Sequence, residues 1–523
     1  MRCCRAKSSA AVLLLAAALP APRGYGQGFR NLTVDASSDA GRIRSLQGAN
    51  GPPSPVMEGL PNLVEQYREL HIDQVRTHDL MGPTEIDSRY SYHDSNLESL
   101  IPDPNQRAGV VRAGNESIIF PDWNADPEKP ESYRFGPTDK MIAAIVDSGA
   151  VVFYRIGRSW GADTDPPADY DKFASIVRHI AMHYNQGWAN GFHDKIRYWE
   201  FWNEPEGFWG GTPEQFYALY EKTARALKSV DSSMKVGGDG EAQSHGASPW
   251  REGLLDYCTA HHVPLDFFSW HTYAFGSADP YDAARLGKEI RSVLDTHGFP
   301  RAESILSEWN ISYDFTIQEA AELQGAHNAA FVGAVLTYMQ DAPIDHAHFY
   351  RGDGAWMGLF DLNGNPYRPA SVFKAMGRML NTPVRLAVAG TDTFGFAALA
   401  GKSEDGGTVQ ILISNYARPA NYKPRPMPSA PEFADPDAPS LWDRWHAPPF
   451  PDRTDIVYRD NAGYNLSLVN LPWGRATFTL KRYRVSARQA LDLVEERSLT
   501  GPSLTLSNAL PVDNVELIVL QRK

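Results

Sequence analysis

Two glutamates stand where strand-like runs of this sequence give way to punctuation. The first closes Tyr198-Trp199-Glu200-Phe201-Trp202-Asn203-Glu204-Pro205, where the proline is expected to stop the strand. The second lies in Ile305-Leu306-Ser307-Glu308-Trp309-Asn310, much later in the chain. If both runs are strands of one parallel barrel, Glu204 and Glu308 share its C-terminal rim. Two carboxyls flanking one bond are what acetal hydrolysis needs: the leaving oxygen must be protonated while an oxocarbenium-like centre is stabilised from the opposite face. A separation of ~5–5.5 Å permits direct attack and retention, whereas ~6.5–9.5 Å admits a water and gives inversion.

Glu200 is a different case. By two-residue alternation it shares a side with Trp202 and Glu204, but it lies ~13 Å deeper at the rise of a strand. It reads as an interior carboxylate held by a cation such as Arg76 or Arg197, because an unpaired buried charge is very costly. Trp270, Trp309 and Trp356 carry faces that match the apolar C–H faces of pyranose rings, although each could equally be core. Trp356, in the glycine-rich run Gly352-Asp353-Gly354-Ala355-Trp356-Met357-Gly358, is the favoured one. His346-Ala347-His348 would turn two imidazoles to one side, yet no third ligand has sensible spacing, so neither a metal nor another cofactor is expected. Four Asn-x-Ser/Thr sequons occur, at Asn31, Asn115, Asn310 and Asn465. A glycan on Asn310 would obstruct the mouth, so that site is expected to stay unmodified.

The elements that must position these groups follow from the pattern between residues 44 and 380. Strand-like runs at 45–49, 74–77, 151–156, 196–202, 235–238, 267–270, 304–308 and 347–350 alternate with helical stretches at 60–71, 138–147, 168–184, 213–230, 249–261, 283–296, 318–340 and 370–380. Thr212-Pro213-Glu214-Gln215 is a capping box with proline at the first helical position. Eight such units predict a (β/α)8 TIM barrel over 44–383, an α/β fold. After residue 383 the period changes to two, with runs at 394–400, 409–415, 464–469, 476–485 and 515–520, which predicts an accessory C-terminal β-sandwich module over 384–523. Ten prolines between Pro419 and Pro451 mark a loop over 418–453. Residues 27–43 are extended and could pair with the module.

The chain has 523 residues, of which 42% are hydrophobic and 22% charged, enough to bury a sizeable core. Residues 1–26 read as an export signal: Arg2, Arg5 and Lys7 precede the short apolar run from Ala10 to Leu19. Cleavage would remove four cations, Arg23 included, and take the net charge from −13 to −17. Nucleic acid is thereby disfavoured as a partner, and a neutral ligand fits best. Cys258 alone would remain of the three cysteines, a buried small hydrophobe with no disulfide partner. No later run is long enough to span a bilayer, so the mature chain is expected outside the cytoplasm, periplasmic or extracellular. Nothing in the sequence fixes an oligomeric state.

The chain resembles the retaining glycoside hydrolases that carry an acid/base on barrel strand four and a nucleophile on strand seven, and within them glycoside hydrolase family 39, the β-xylosidase and α-L-iduronidase family. The resemblance covers roughly residues 44 to 385. Trp202-Asn203-Glu204-Pro205 is its most specific element, supported by Glu308-Trp309 and by Ser269-Trp270-His271-Thr272-Tyr273. It implies that Glu204 is the general acid/base and Glu308 the nucleophile, and that Asn203 binds the sugar 2-hydroxyl. His271 and Tyr273 would line the subsite floor, with Tyr273 near Glu308. Arg76 and His78 are similar to an Arg-x-His rim of the family. Residues 79–134 depart from the family pattern, which leaves the substrate open: β-xylosides come first, followed by iduronides, arabinosides, β-glucosides or an endo-cleaved oligo- or polysaccharide. A uronic acid would need a cation such as Arg351. A glycan-binding barrel without turnover is the rival reading; it leaves the two intact carboxyls unexplained.

Overall fold

The computed structural model describes residues 28–53, 61–77, 104–105, 108, 118–157, 165–242, 247–273, 279–311, 322–354, 357–417 and 461–523. Residues 1–26, expected to be an export signal, together with His78, Trp356, most of 79–117 and the proline-rich loop therefore lie outside the described residues. The first strand, β1 (Phe29–Arg42), belongs to the C-terminal sheet. The next eight close a parallel barrel: β2 (Gly48–Asn50), β3 (Gln74–Arg76), β4 (Val151–Ile156), β5 (Tyr198–Phe201), β6 (Lys235–Glu241), β7 (Phe267–Tyr273), β8 (Glu303–Asn310) and β9 (His346–Phe349). β9 pairs with β2, Gly48 opposite His348, and the ring has no edge.

Each strand expected from the sequence is present, but β6, β7 and β8 reach further towards the rim than their sequences suggest. The last residues of all three are polar and buried, held by the barrel's own hydrogen bonds. Around the ring, the helix Pro213–Val230 starts at the expected capping box, with the Gln215 amide oxygen accepting from the Thr212 N–H at 2.8 Å. Its face carrying Phe216 and Tyr220 packs on Phe201 of β5, ring centres 5.0 and 5.5 Å apart. The helix Ala326–Tyr338 is apolar nearly all round because it is sandwiched between the barrel and the C-terminal sheet. Among the described residues no helix is long and apolar enough to cross a membrane.

The C-terminal strands are β10 (Val384–Ala389), β11 (Phe396–Lys402), β12 (Thr408–Asn415), β13 (Gly463–Val469), β14 (Thr477–Ser486), β15 (Gln489–Thr500), β16 (Leu504–Ala509) and β17 (Asn514–Arg522). With β1 they form one nine-stranded sheet in the order β15-β14-β17-β12-β11-β10-β1-β13-β16. The sheet curls until Leu466 and Leu506, near one edge, share a core with Phe478 and Leu480 near the other, which gives the two facing layers of a sandwich. β12 is buried on both sides: Ile411 and Ile413 point into that core, while Leu412 joins the core of the barrel.

Candidate active site

The chain leaves the extended conformation just past Phe201. Trp202 and Glu204 adopt left-handed backbone angles, φ 67° and 45°. Trp202 therefore turns away from Glu200 rather than alternating with it, and its ring packs 5.1 Å from that of Trp209. Pro205 does more than end a strand: it is the first residue of a one-turn helix, Pro205–Phe208, whose N-cap is Glu204. The Glu204 amide donates to the Gly240 carbonyl of β6 at 3.0 Å. Gly240 itself is left-handed, φ +65°, and a Cβ there would lie 3.2 Å from His271 Nε2 and 3.3 Å from Arg76 Nη2. Only glycine meets both demands without displacing the site.

The rim then assembles around Glu308. Tyr273, at the end of β7, donates its hydroxyl to Glu308 Oε2 at 2.5 Å. Arg76, at the end of β3, donates through Nη1 to Glu308 Oε1 at 2.7 Å and to Asn50 Oδ1 at 3.1 Å, and through Nη2 to Asn203 Oδ1 at 2.9 Å. Its Nε donates to Glu200, which is the interior ion pair expected for that carboxylate. Burial alone would depress the guanidinium, but Glu200 and Glu308 outweigh it and hold Arg76 above its ordinary range. One permanent cation thus fixes the nucleophile candidate, an interior acid and the Asn203 amide together.

His271 stands between the two rim carboxyls, Nδ1 2.8 Å from Glu204 Oε1 and Nε2 3.7 Å from Glu308 Oε1. Polar atoms of Glu204, His271 and Glu308 all lie within 4.8 Å of one another, close enough that they could also surround a cation. One oxygen of each carboxyl thus lies within 4.8 Å of the other, so both can reach a single substrate bond. The Glu308 side chain keeps 5% of its surface open and that of Glu204 12%.

The structure thus brings together Arg76, Asn203, Glu204, His271, Tyr273 and Glu308 of the residues expected from sequence. Trp309 is corrected to core: it is 1% exposed and packs edge-on to Phe349 at 5.2 Å, because Glu308 facing inward sends its neighbour outward. Trp270 is likewise core, its N–H on Ser304 Oγ at 3.0 Å. His348 Nε2 meets Gln74 Oε1 at 2.8 Å, and burial depresses its imidazole; His346 Nε2 meets the Tyr198 hydroxyl at 3.1 Å. Asn310 is buried, with its Nδ2 donating to the Tyr350 carbonyl at 2.7 Å, so its amide is not presented to a glycan. The Arg351 guanidinium lies along the Asp353 carboxylate, Nε to Oδ1 2.8 Å. Asn50 was not anticipated. Its only sequence signal is its place at the tip of the first strand.

A family model described as Glycosyl hydrolases family 39 matches residues 142–348. The β-xylosidase of Geobacillus stearothermophilus is 29% identical over 217 residues, covering 38% of this chain and 40% of its own length. The β-xylosidase of Caldicellulosiruptor saccharolyticus is 31% identical over 188 residues, covering 33% and 36%. The chain therefore spans about two fifths of the length of the curated relatives it matches. A solved glucosidase from Croceicoccus marinus is 31% identical with a TM-score of 0.76, over 95% of this chain and 99% of that one. A monomeric β-xylosidase from Caulobacter crescentus, 16% identical with a TM-score of 0.65 over 94% of this chain and 99% of its own, shares the fold.

Proposed function

Because the chain belongs to glycoside hydrolase family 39, we propose that it is an exported, retaining exo-glycosidase acting on neutral β-glycosides, β-xylosides first. The observation that carries this reading is the convergence of Glu204, His271 and Glu308 within 4.8 Å. In the first half-reaction a Glu308 oxygen bonds to the anomeric carbon as the glycosidic C–O bond breaks, and the Glu204 proton passes to the leaving oxygen. In the second, a water oxygen bonds to the same carbon, its proton returns to Glu204, and the ester bond to Glu308 breaks. Arg76 and Tyr273, one on each Glu308 oxygen, keep the carboxylate ionised and aimed.

The β-xylosidase relatives support xylose, and the full-length likeness to a glucosidase makes β-glucosides the nearest rival. Uronic acids fit less well, since Arg351 already faces Asp353. Export rests on the basic, then apolar, pattern of residues 1–26. A panel of aryl β-xyloside, β-glucoside, β-galactoside, α-arabinoside and α-iduronide would rank substrates. Glu308→Ala should abolish turnover of the best one, and azide should restore a product of inverted configuration. Undiminished activity in that variant, or a first-formed anomer opposite to the substrate's in the wild type, would sink the retaining assignment. Recovery of a chain shortened by about 26 residues in the periplasm or medium would test export.

A further inference from the structure

Behind the β5–β6 rim lies a buried charged cluster that neither half-reaction uses. Asp239 is 0% exposed, and neither of its carboxyl oxygens has a hydrogen-bond partner among the described residues. It faces Glu241 along β6, Glu206 from the helix Pro205–Phe208, Arg251 from the turn Pro249–Gly253, and Tyr217 and Tyr220 from the helix Pro213–Val230. Arg251 is already committed, Nη1 to Glu241 Oε2 and Nη2 to Glu252 Oε1, each at 2.9 Å. An ionised carboxylate with no partner in such a place is far costlier than a neutral acid. Burial first, then Glu241 and Glu206, push the Asp239 carboxyl well above its ordinary range, while burial raises Glu241 to about 7 against the pull of Arg251.

Between these two acids sits Gly240, whose carbonyl accepts the Glu204 amide at 3.0 Å. The acid/base therefore hangs by its backbone from a turn flanked by buried carboxyls. We propose that Asp239 is a positioning residue for Glu204: as a neutral carboxylic acid it keeps the Asp239-Gly240-Glu241 turn seated, and the turn holds Glu204 in the left-handed conformation that aims its carboxyl across the sugar. This inference rests on the glycosidase reading for its kinetic consequence but not for its electrostatic one.

The experiment compares wild type with Asp239→Asn, a neutral isostere, on a 2,4-dinitrophenyl glycoside of the preferred sugar. Such a leaving group needs no proton from Glu204, so kcat/KM reports attack by Glu308 alone, while kcat reports the ester hydrolysis in which Glu204 is the base. Wild-type kcat should fall at alkaline pH as Asp239 ionises and the turn shifts, with kcat/KM holding level. Asp239→Asn should match wild type within about twofold near about pH 6 and exceed its kcat by about threefold or more near about pH 9. Superimposed alkaline profiles, or an Asn variant already impaired near neutrality, would overturn the proposal.

A second measurement needs no substrate. A carboxyl whose folded pKa is raised favours the folded state most below its unfolded pKa of about 3.9, and that advantage is lost as pH climbs to the folded value. Asparagine does not titrate, so the Tm of Asp239→Asn should gain steadily on wild type as pH rises from about 5 to 8. A Tm difference independent of pH would overturn the neutral-acid assignment. If wild type turned over no glycoside at all, the functional reading would fail while this thermal result still judged Asp239.

Discussion

Arg76 shows how much one side chain can be asked to hold. It is fully buried and bonded to Glu200, Glu308, Asn203 and Asn50, so two carboxylates that would otherwise repel each other share one cation. Arg76→Met keeps much of the volume and removes the charge. Breaking a buried pair from one side costs about 3–5 kcal/mol, and a urea titration near neutral pH should register a loss of that order. The sign of the pH effect follows from the same charge. A cation favours the carboxylate form of Glu308, so its removal should move the acidic limb of kcat/KM to higher pH. An unmoved limb would mean that Arg76 only braces the barrel. Glu204 and Glu308 were legible in the sequence because each ends an apolar strand and no packing role explains a carboxyl there. Arg76 and Glu200 were legible as a pair for the converse reason, that an interior charge must be compensated. Asp239 and Glu241 were not, since the strand read from the sequence ends at Gly238 and the glycine at 240 hides its continuation. Trp309 was misplaced because an aromatic beside a rim acid suits a sugar and a helix interface equally well.

At the level of elements, the junction between β5 and the helix Pro205–Phe208 decides where Glu204, the proposed acid/base, points. Glu204 occupies a left-handed conformation, φ 45°, that costs a residue with a Cβ roughly 1 kcal/mol and costs glycine almost nothing. Two variants with equal chemical loss should therefore differ in stability. Glu204→Gly and Glu204→Ala both lack the acid, but the glycine variant should be more stable by about 0.5–1 kcal/mol, less its greater unfolded-state entropy. Equal or reversed stabilities would show that the surrounding bonds, above all the Glu204 amide to Gly240, relax when the side chain is lost. With azide, both should recover turnover of activated substrates to the same extent, since neither keeps a base. The barrel strands could be placed from sequence by their β-branched and aromatic runs, yet their rim ends could not. There the residues are polar and buried for the sake of the site, so alternation and hydropathy no longer report on backbone geometry.

For the whole molecule, the decisive feature is the path of the chain rather than the barrel. β1 lies between β10 and β13, antiparallel to the first and parallel to the second, so residues 29–42 form an interior strand of the C-terminal sheet, third from one edge. Its Leu32, Val34 and Ala36 are buried in the sheet's inner core. Alternation in 27–43 signals an extended segment that could pair with the module, but no local pattern can say which of its strands lie on either side. β15 and β16 escaped notice for a related reason: β15 is mostly exposed and carries charges on its outer face, so its period is blurred. The other side of the sheet continues the barrel's core through Leu399, Leu412, Val515 and Leu517, against the helix Ala326–Tyr338. Barrel and sheet should then melt together. Deleting residues 28–42 would cut β13 and β16 off from the other six strands and expose the lining on both sides of the gap. The expected outcome is one cooperative loss of barrel tryptophan fluorescence and activity at a much lower Tm than wild type, or failure to fold, rather than an active barrel with a frayed module. A truncated chain that kept wild-type Tm and turnover would show that the barrel is stable alone and that its shared core with the sheet contributes little.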